Sequence, residues 1–115
     1  MEKLVIALYS DDSTVRASVI AALGKRLDQS LPEHEIKEFA TAPALRLYVD
    51  NKKQVDLFVL DAEAVPEGGM GVARQLKDEV FNCPPVLLIT ARASDNWLAT
   101  WSKAEATVQH PIDPF

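Results

Sequence analysis

The stretch Val55-Asp56-Leu57-Phe58-Val59-Leu60-Asp61 constrains the fold more than any other part of the chain. From Leu57 onward it is apolar without alternation, and it stops at a carboxylate. A run of this length, apolar on both faces, reads as a central parallel strand covered by helices on each side. Asp61 then stands at the carboxyl end of the strand, where open α/β sheets place their ligand crevice.

The remaining chain alternates strand and helix signals around that run. Leu4 to Tyr9 is a second buried strand, ending at Ser10-Asp11-Asp12. Asp12 or Ser13 is placed to cap a helix carrying Val15, Val19, Leu23 and Leu27 at helical spacing, with its end before Pro32. His34 to Ala40 is more polar and suits a sheet edge, and Pro43 opens a short helix with Leu45, Leu47, Tyr48 and Val49. After Asp61, a loop with Pro66, Gly68, Gly69 and Gly71 leads into a helix bearing Val72, Ala73, Leu76 and Val80. Val86 to Ile89 is a third buried strand ending at Thr90. Ser94 or Asp95 starts a helix with Trp97, Leu98 and Trp101, and Ala106-Thr107-Val108 is a short last strand running into His110-Pro111. Five strands alternating with four helices imply a doubly wound α/β domain with a parallel sheet and right-handed crossovers.

At 115 residues the chain is one domain. Twelve basic against seventeen acidic side chains give a formal charge of −5, which disfavours direct nucleic-acid binding and anionic membrane surfaces. The single cysteine, Cys83, cannot form an internal disulfide, no apolar run is long enough to span a bilayer, and the N-terminus carries no secretory pattern. A reducing cytoplasm is the default expectation.

Four strand ends converge on one crevice: Ser10 and Asp11, Asp61, Thr90, and His110. This constellation resembles the CheY-like receiver domain of bacterial response regulators. An acidic pair follows the first strand in that family, a phosphoacceptor aspartate ends the third, a Ser or Thr ends the fourth, and Lys-Pro follows the fifth. Here these places hold Ser10-Asp11, Asp61, Thr90-Ala91 and His110-Pro111. Gly69, eight residues after Asp61, matches the family's loop glycine, whereas Pro66 lies one residue later than the family's proline.

The resemblance implies the strand order 2-1-3-4-5 of flavodoxin-like folds and a domain that signals by a surface change rather than by turnover, so not an enzyme. It implies that Asp61 accepts a phosphoryl group from a histidine kinase or phosphotransfer protein. Mg²⁺ would be held by Asp11, Asp61 and the main-chain carbonyl of Glu63, and Thr90 would couple phosphorylation to the loops beyond it. A downstream protein or output domain would read the result.

Two departures bear on that mechanism. Ser10 replaces the first acid of the pair, which removes one negative charge and predicts weaker metal binding. His110 replaces the lysine, exchanging a permanent ammonium for an imidazole mostly neutral near pH 7. Glu63 and Arg92 flank the site, and an ion pair between them would alter access to it.

Simpler readings stand beside these. Asp11 and Asp12 serve equally as helix-capping acids, Thr90 as a residue satisfying main-chain groups, and His110 as a surface histidine. Trp97 and Trp101 share a helix face that is either core or a partner surface. A binding module of the same fold that works without phosphorylation is the alternative function. A small haloacid-dehalogenase-like phosphatase built on Asp61 and Glu63 fits poorly, because that family uses Asp-x-Asp. The receiver pattern also continues past its Lys-Pro into a final helix, whereas only Ile112 to Phe115 remain here. The expectation is a single receiver domain over residues 1–115, truncated before or within its last helix. The exposed flank would be covered by further residues, an output domain or a second copy as a homodimer.

Overall fold

The computed structural model describes residues 3–24, 32–51, 53–65, 67–80 and 82–90, together with the backbone of 106–109. Among these residues the order is β1 (Leu4–Tyr9), α1 (Ser13–Leu23), β2 (His34–Phe39), α2 (Ala42–Asp50), β3 (Leu57–Asp61), α3 (Gly69–Glu79), β4 (Val86–Thr90) and β5 (Ala106–Gln109). The strands form one parallel sheet in the order β2-β1-β3-β4-β5, as the receiver pattern implied. The helix expected to begin at Ser94 or Asp95 lies outside the described residues.

Apolar runs without alternation produce a sheet with two buried faces. On one face Ile6, Leu8, Val59 and Ile89 pack with Val19 of α1. On the other, Ala7, Tyr9, Phe58, Leu60 and Leu88 meet Leu45 of α2 and Val72, Ala73 and Leu76 of α3. Successive residues of β1 and β3 therefore serve opposite cores, which is why neither strand carries a polar residue between its ends. β2 lies at the sheet edge with Glu35, Lys37 and Glu38 exposed, matching its polar sequence.

Most element boundaries differ from expectation by a residue or so, and the starts and stops of β3 and α1 have identifiable reasons. β3 begins at Leu57 rather than Val55, because Asp56 bonds by main chain and side chain to one residue of β1. Its N–H donates to the Val5 carbonyl at 2.7 Å, and its carboxylate accepts from the Val5 N–H at 2.8 Å. The described α1 ends at Leu23. Gly24 adopts φ 59°, a left-handed conformation that costs glycine little, and its N–H donates to the Ile20 carbonyl. Leu27 lies outside the described residues. At the other end of α1, Asp12 is the cap, its Oδ1 accepting from Thr14 N at 2.8 Å.

Candidate functional site

The carboxyl ends of β1, β3 and β4 bring Ser10, Asp61 and Thr90 together as the buried polar residues of the described chain. Asp61 is 2 % exposed, and both of its carboxylate oxygens are hydrogen-bonded. Ser10 Oγ donates to Oδ2 at 2.7 Å, and the Glu63 N–H donates to Oδ1 at 2.9 Å. The Ser10 hydroxyl in turn accepts from Asp12 N at 3.1 Å, so its proton is directed at Asp61. A buried hydrogen bond to a charged group contributes about 1.5–3 kcal/mol. Ser10 thus does more than remove a charge from the acidic pair: it contributes a neutral donor to the carboxylate that remains.

Asp11 and Asp12, both open to a capping role, have different partners. Asp12 caps α1. Asp11 is exposed and turns toward the loop after β3, where its Oδ1 accepts from Val65 N at 3.2 Å. Thr90 is fully buried, and its Oγ1 has no hydrogen-bond partner among the described residues. Among the described residues such a hydroxyl stands out, at the end of the strand next to the one that carries Asp61. Thr90 pairs with Gln109 in the β4–β5 register, which places the backbone leading to His110 alongside it. His110 itself, Arg92, Trp97 and Trp101 lie outside the described residues, as does Pro66.

Glycines shape the floor of the site. A Cβ on Gly69 would lie 2.7 Å from the Asp61 carbonyl oxygen, 2.8 Å from its carbonyl carbon and 3.0 Å from that of Leu60. One on Gly68 would lie 2.7 Å from the carbonyl oxygen of Ala62. The first turn of α3 is therefore seated directly on the Asp61 backbone.

Several contributors were not singled out from sequence. Arg16 Nη1 donates to the Ser10 carbonyl at 2.7 Å while its Nε pairs with Glu38 at 3.1 Å, fixing the turn that carries Ser10 and Asp11. Tyr9, buried as a strand residue should be, donates its hydroxyl to the Glu67 carbonyl at 2.6 Å. Burial pushes the Tyr9 phenol above its ordinary value, and the negative charges of Glu67, Asp11 and Asp61 add to the rise while Arg46 opposes it. The Arg46 guanidinium grips the Glu67 carboxylate with both arms, one bond being 2.9 Å. That bond holds the Glu67 carboxyl below its ordinary 4.5. The only signal for Arg16 was its position one turn into a helix that starts at the site; nothing local linked Arg46 to Glu67.

The Glu67 shift has a testable sign. A depressed native pKa contributes stability that is present above the unfolded value, near 4.5, and is lost as pH falls through the lower native value. Carboxyl-detected NMR should find Glu67 titrating below the ordinary range in the parent and within it in Arg46→Met. Ordinary titration in both proteins would contradict the pairing.

The donor set is all oxygen: two carboxylates at neighbouring strand ends, both felt electrostatically at the Tyr9 hydroxyl, with the Glu63 main chain beside them. Among the described residues no three His, Cys, Asp or Glu side chains group into a protein-only metal cage. Few carboxylates, with water completing the shell, suit Mg²⁺ better than a transition metal.

The fold and this crevice define a class, the response-regulator receiver. An uncharacterized response regulatory protein of Mycobacterium tuberculosis H37Rv is 51% identical over 112 residues, covering 97% of this chain and 84% of the relative. The chain therefore belongs to the response-regulator family, and its fold is that of CheY-like receiver domains. No protein-family model matches it. Among solved structures, a putative response regulator from Chloroflexus aurantiacus superposes with a TM-score of 0.78 at 18% identity, covering 98% of this chain and 89% of that one. The phosphorylated cyanobacterial phytochrome response regulator RcpA gives a TM-score of 0.78 at 16% identity, covering 98% and 84%. No helix among the described residues is long and apolar enough to cross a membrane.

Proposed function

We propose that this receiver domain accepts a phosphoryl group on Asp61 from the phosphohistidine of a kinase or phosphotransfer protein and signals through the resulting surface change. The observation that carries the proposal is a buried carboxylate at the end of the central strand, fixed by Ser10 Oγ and Glu63 N, with Thr90 ending the neighbouring strand and its hydroxyl without a partner among the described residues. Support also comes from RcpA, a protein of the same fold that was crystallised phosphorylated.

An Asp61 carboxylate oxygen attacks phosphorus, forming the acyl phosphate O–P bond as the P–N bond breaks and the imidazole leaves. Asp11, Asp61 and the carbonyl of Glu63 would hold Mg²⁺, which supplies neutralisation of the charge on the transferred oxygens. With Ser10 in place of an acid, the affinity for that cation is lower than two acids would give. Ser10 orients Asp61 and must release or re-aim its hydroxyl as the carboxylate becomes an acyl phosphate. Thr90 then has an acceptor for its buried O–H in a phosphoryl oxygen, a contact that no described residue offers it in the free state. His110 would take the part of the family's lysine toward the same group, as the resemblance implies. A kinase upstream and a downstream protein or output domain are the partners this chemistry requires, and a cytoplasmic setting is where they would meet.

Incubation with phosphoramidate or acetyl phosphate and Mg²⁺ should give a single phosphoryl adduct by intact mass, absent from Asp61→Ala. The near-complete burial of Asp61, with both oxygens already engaged, favours a second reading: a receiver-fold interaction module that works unphosphorylated. A parent protein that gains no mass while still binding its partner would select that second reading.

A further inference from the structure

The loop between β3 and α3 is fastened at every second residue. Glu63 N donates to Asp61 Oδ1 at 2.9 Å and Val65 N donates to Asp11 Oδ1 at 3.2 Å. At Glu67, the carbonyl accepts from the Tyr9 hydroxyl at 2.6 Å and the carboxylate is held by both arms of Arg46. Arg46 is itself braced, its Nε donating to Gln75 Oε1 of α3 at 2.7 Å. One guanidinium on α2 therefore joins the loop to a second helix, 21 residues from one partner and 29 from the other.

These fastenings are not equivalent. The first two end on Asp61 and Asp11, the carboxylates that must change partners when an anion or cation enters the crevice. The fastening at Glu67 uses neither. A planar fork holding a carboxylate by two parallel bonds also fixes orientation, which a lysine ammonium does not.

We infer that Arg46 is a positioning residue for the Asp61 site: through Glu67 it holds the β3–α3 loop in place while Asp11 and Asp61 exchange hydrogen bonds for ligands. The inference rests on the phosphoryl-acceptor reading for its kinetic consequence and on geometry alone for its structural one. It assigns to an arginine on α2, outside the crevice, control over how well Glu63 and Val65 are presented to it.

The test compares Arg46→Met, Glu67→Gln, the double variant and Arg46→Lys with a control, Arg74→Met, which breaks the exposed Arg74–Asp78 pair of α3. Displacement of groups by about 1 Å can cost up to ~100-fold in rate. Arg46→Met is expected to slow adduct formation from phosphoramidate by about tenfold and to raise the Mg²⁺ concentration for half-maximal rate. Glu67→Gln should do the same, and the double variant should be no slower than Arg46→Met, because the same Arg46–Glu67 contact is lost in each case. Arg46→Lys should recover part of the rate, and Arg74→Met all of it. Amide resonances of Glu63 and Val65 should move in Arg46→Met and not in Arg74→Met. Parental rate and Mg²⁺ dependence in Arg46→Met, or additive losses in the double variant, would overturn the inference while leaving Asp61 as acceptor. If the parent forms no adduct, the acceptor reading fails and the resonances decide: unmoved Glu63 and Val65 amides end the inference, and moved ones sustain its structural part. Should Arg46→Met not fold, Glu67→Gln supplies the rate, Mg²⁺ and amide-resonance comparisons with the parent and Arg74→Met, since it retains the Tyr9 bond to the main chain, and parental values in all three would overturn the inference.

Discussion

Phe58→Ala should destabilise the domain by about 3–5 kcal/mol, the range for emptying a buried aromatic site. Phe58 is 1 % exposed, lies on the central strand, and packs in the core that also contains Tyr9, Leu60, Leu88 and the buried faces of α2 and α3. Its neighbours belong to a sheet and two helices, so the site cannot collapse without moving an element. Single domains of this kind are stable by roughly 5–15 kcal/mol, and the loss would leave a marginal protein. Urea denaturation should show a lower midpoint with an unchanged slope. Phe58→Leu, which retains most of the volume, should lose much less. A loss below about 1 kcal/mol in Phe58→Ala would mean that the α2–α3 side of the core is not packed as described.

Gly69→Ala and Gly71→Ala should have opposite signs although the two glycines are two residues apart in the first turn of α3. At Gly69 the added methyl meets the backbone of Asp61 and Leu60 at 3.0 Å or less, and backbone cannot move aside as a flexible side chain can. Overpacking of this kind costs about 1–3 kcal/mol. The cost falls on the peptide that carries Asp61, so adduct formation should fall with stability. At Gly71 nothing lies within 4 Å of the new methyl, and replacing an exposed helical glycine by alanine gains about 0.5–1 kcal/mol. Thermal melts of the pair check both signs in one experiment. Equal effects would show that α3 does not sit on Asp61.

What the sequence made legible was whatever is written in contiguous residues. Leu57 to Asp61 and Leu4 to Tyr9 are strands because their apolar residues leave no face for water, and β2 is an edge because Glu35, Lys37 and Glu38 cannot be covered on both sides. The carboxylate ending β3 and the threonine ending β4 follow from the same reading, since a strand that stops at a polar residue delivers it to the crevice. Contacts between distant residues were not legible. Ser10 could be seen as a missing acid but not as a donor to Asp61, because that role needs the hydroxyl oriented by Asp12 N. Asp56 passes for a strand residue until its carboxylate is found on Val5, 51 positions away. Arg46 and Glu67 each look like ordinary surface charges, and only the packing of α2 against the loop joins them. Gly24 was a readable stop signal for α1, overshadowed by the periodic Leu27 beyond it.

A phosphoryl group attached to the carboxylate of Asp61, as proposed, would be an acyl phosphate. An acyl phosphate is reduced by borohydride to the corresponding alcohol, which marks the acceptor residue permanently. The protein should be exposed to phosphoramidate and Mg²⁺, reduced, digested and mapped by peptide mass. Homoserine at Asp61, and its absence from protein reduced without the phosphodonor, is the predicted result. Homoserine at Asp11 or Asp12 instead, or an unmodified Asp61 in protein that had gained phosphoryl mass, would contradict it.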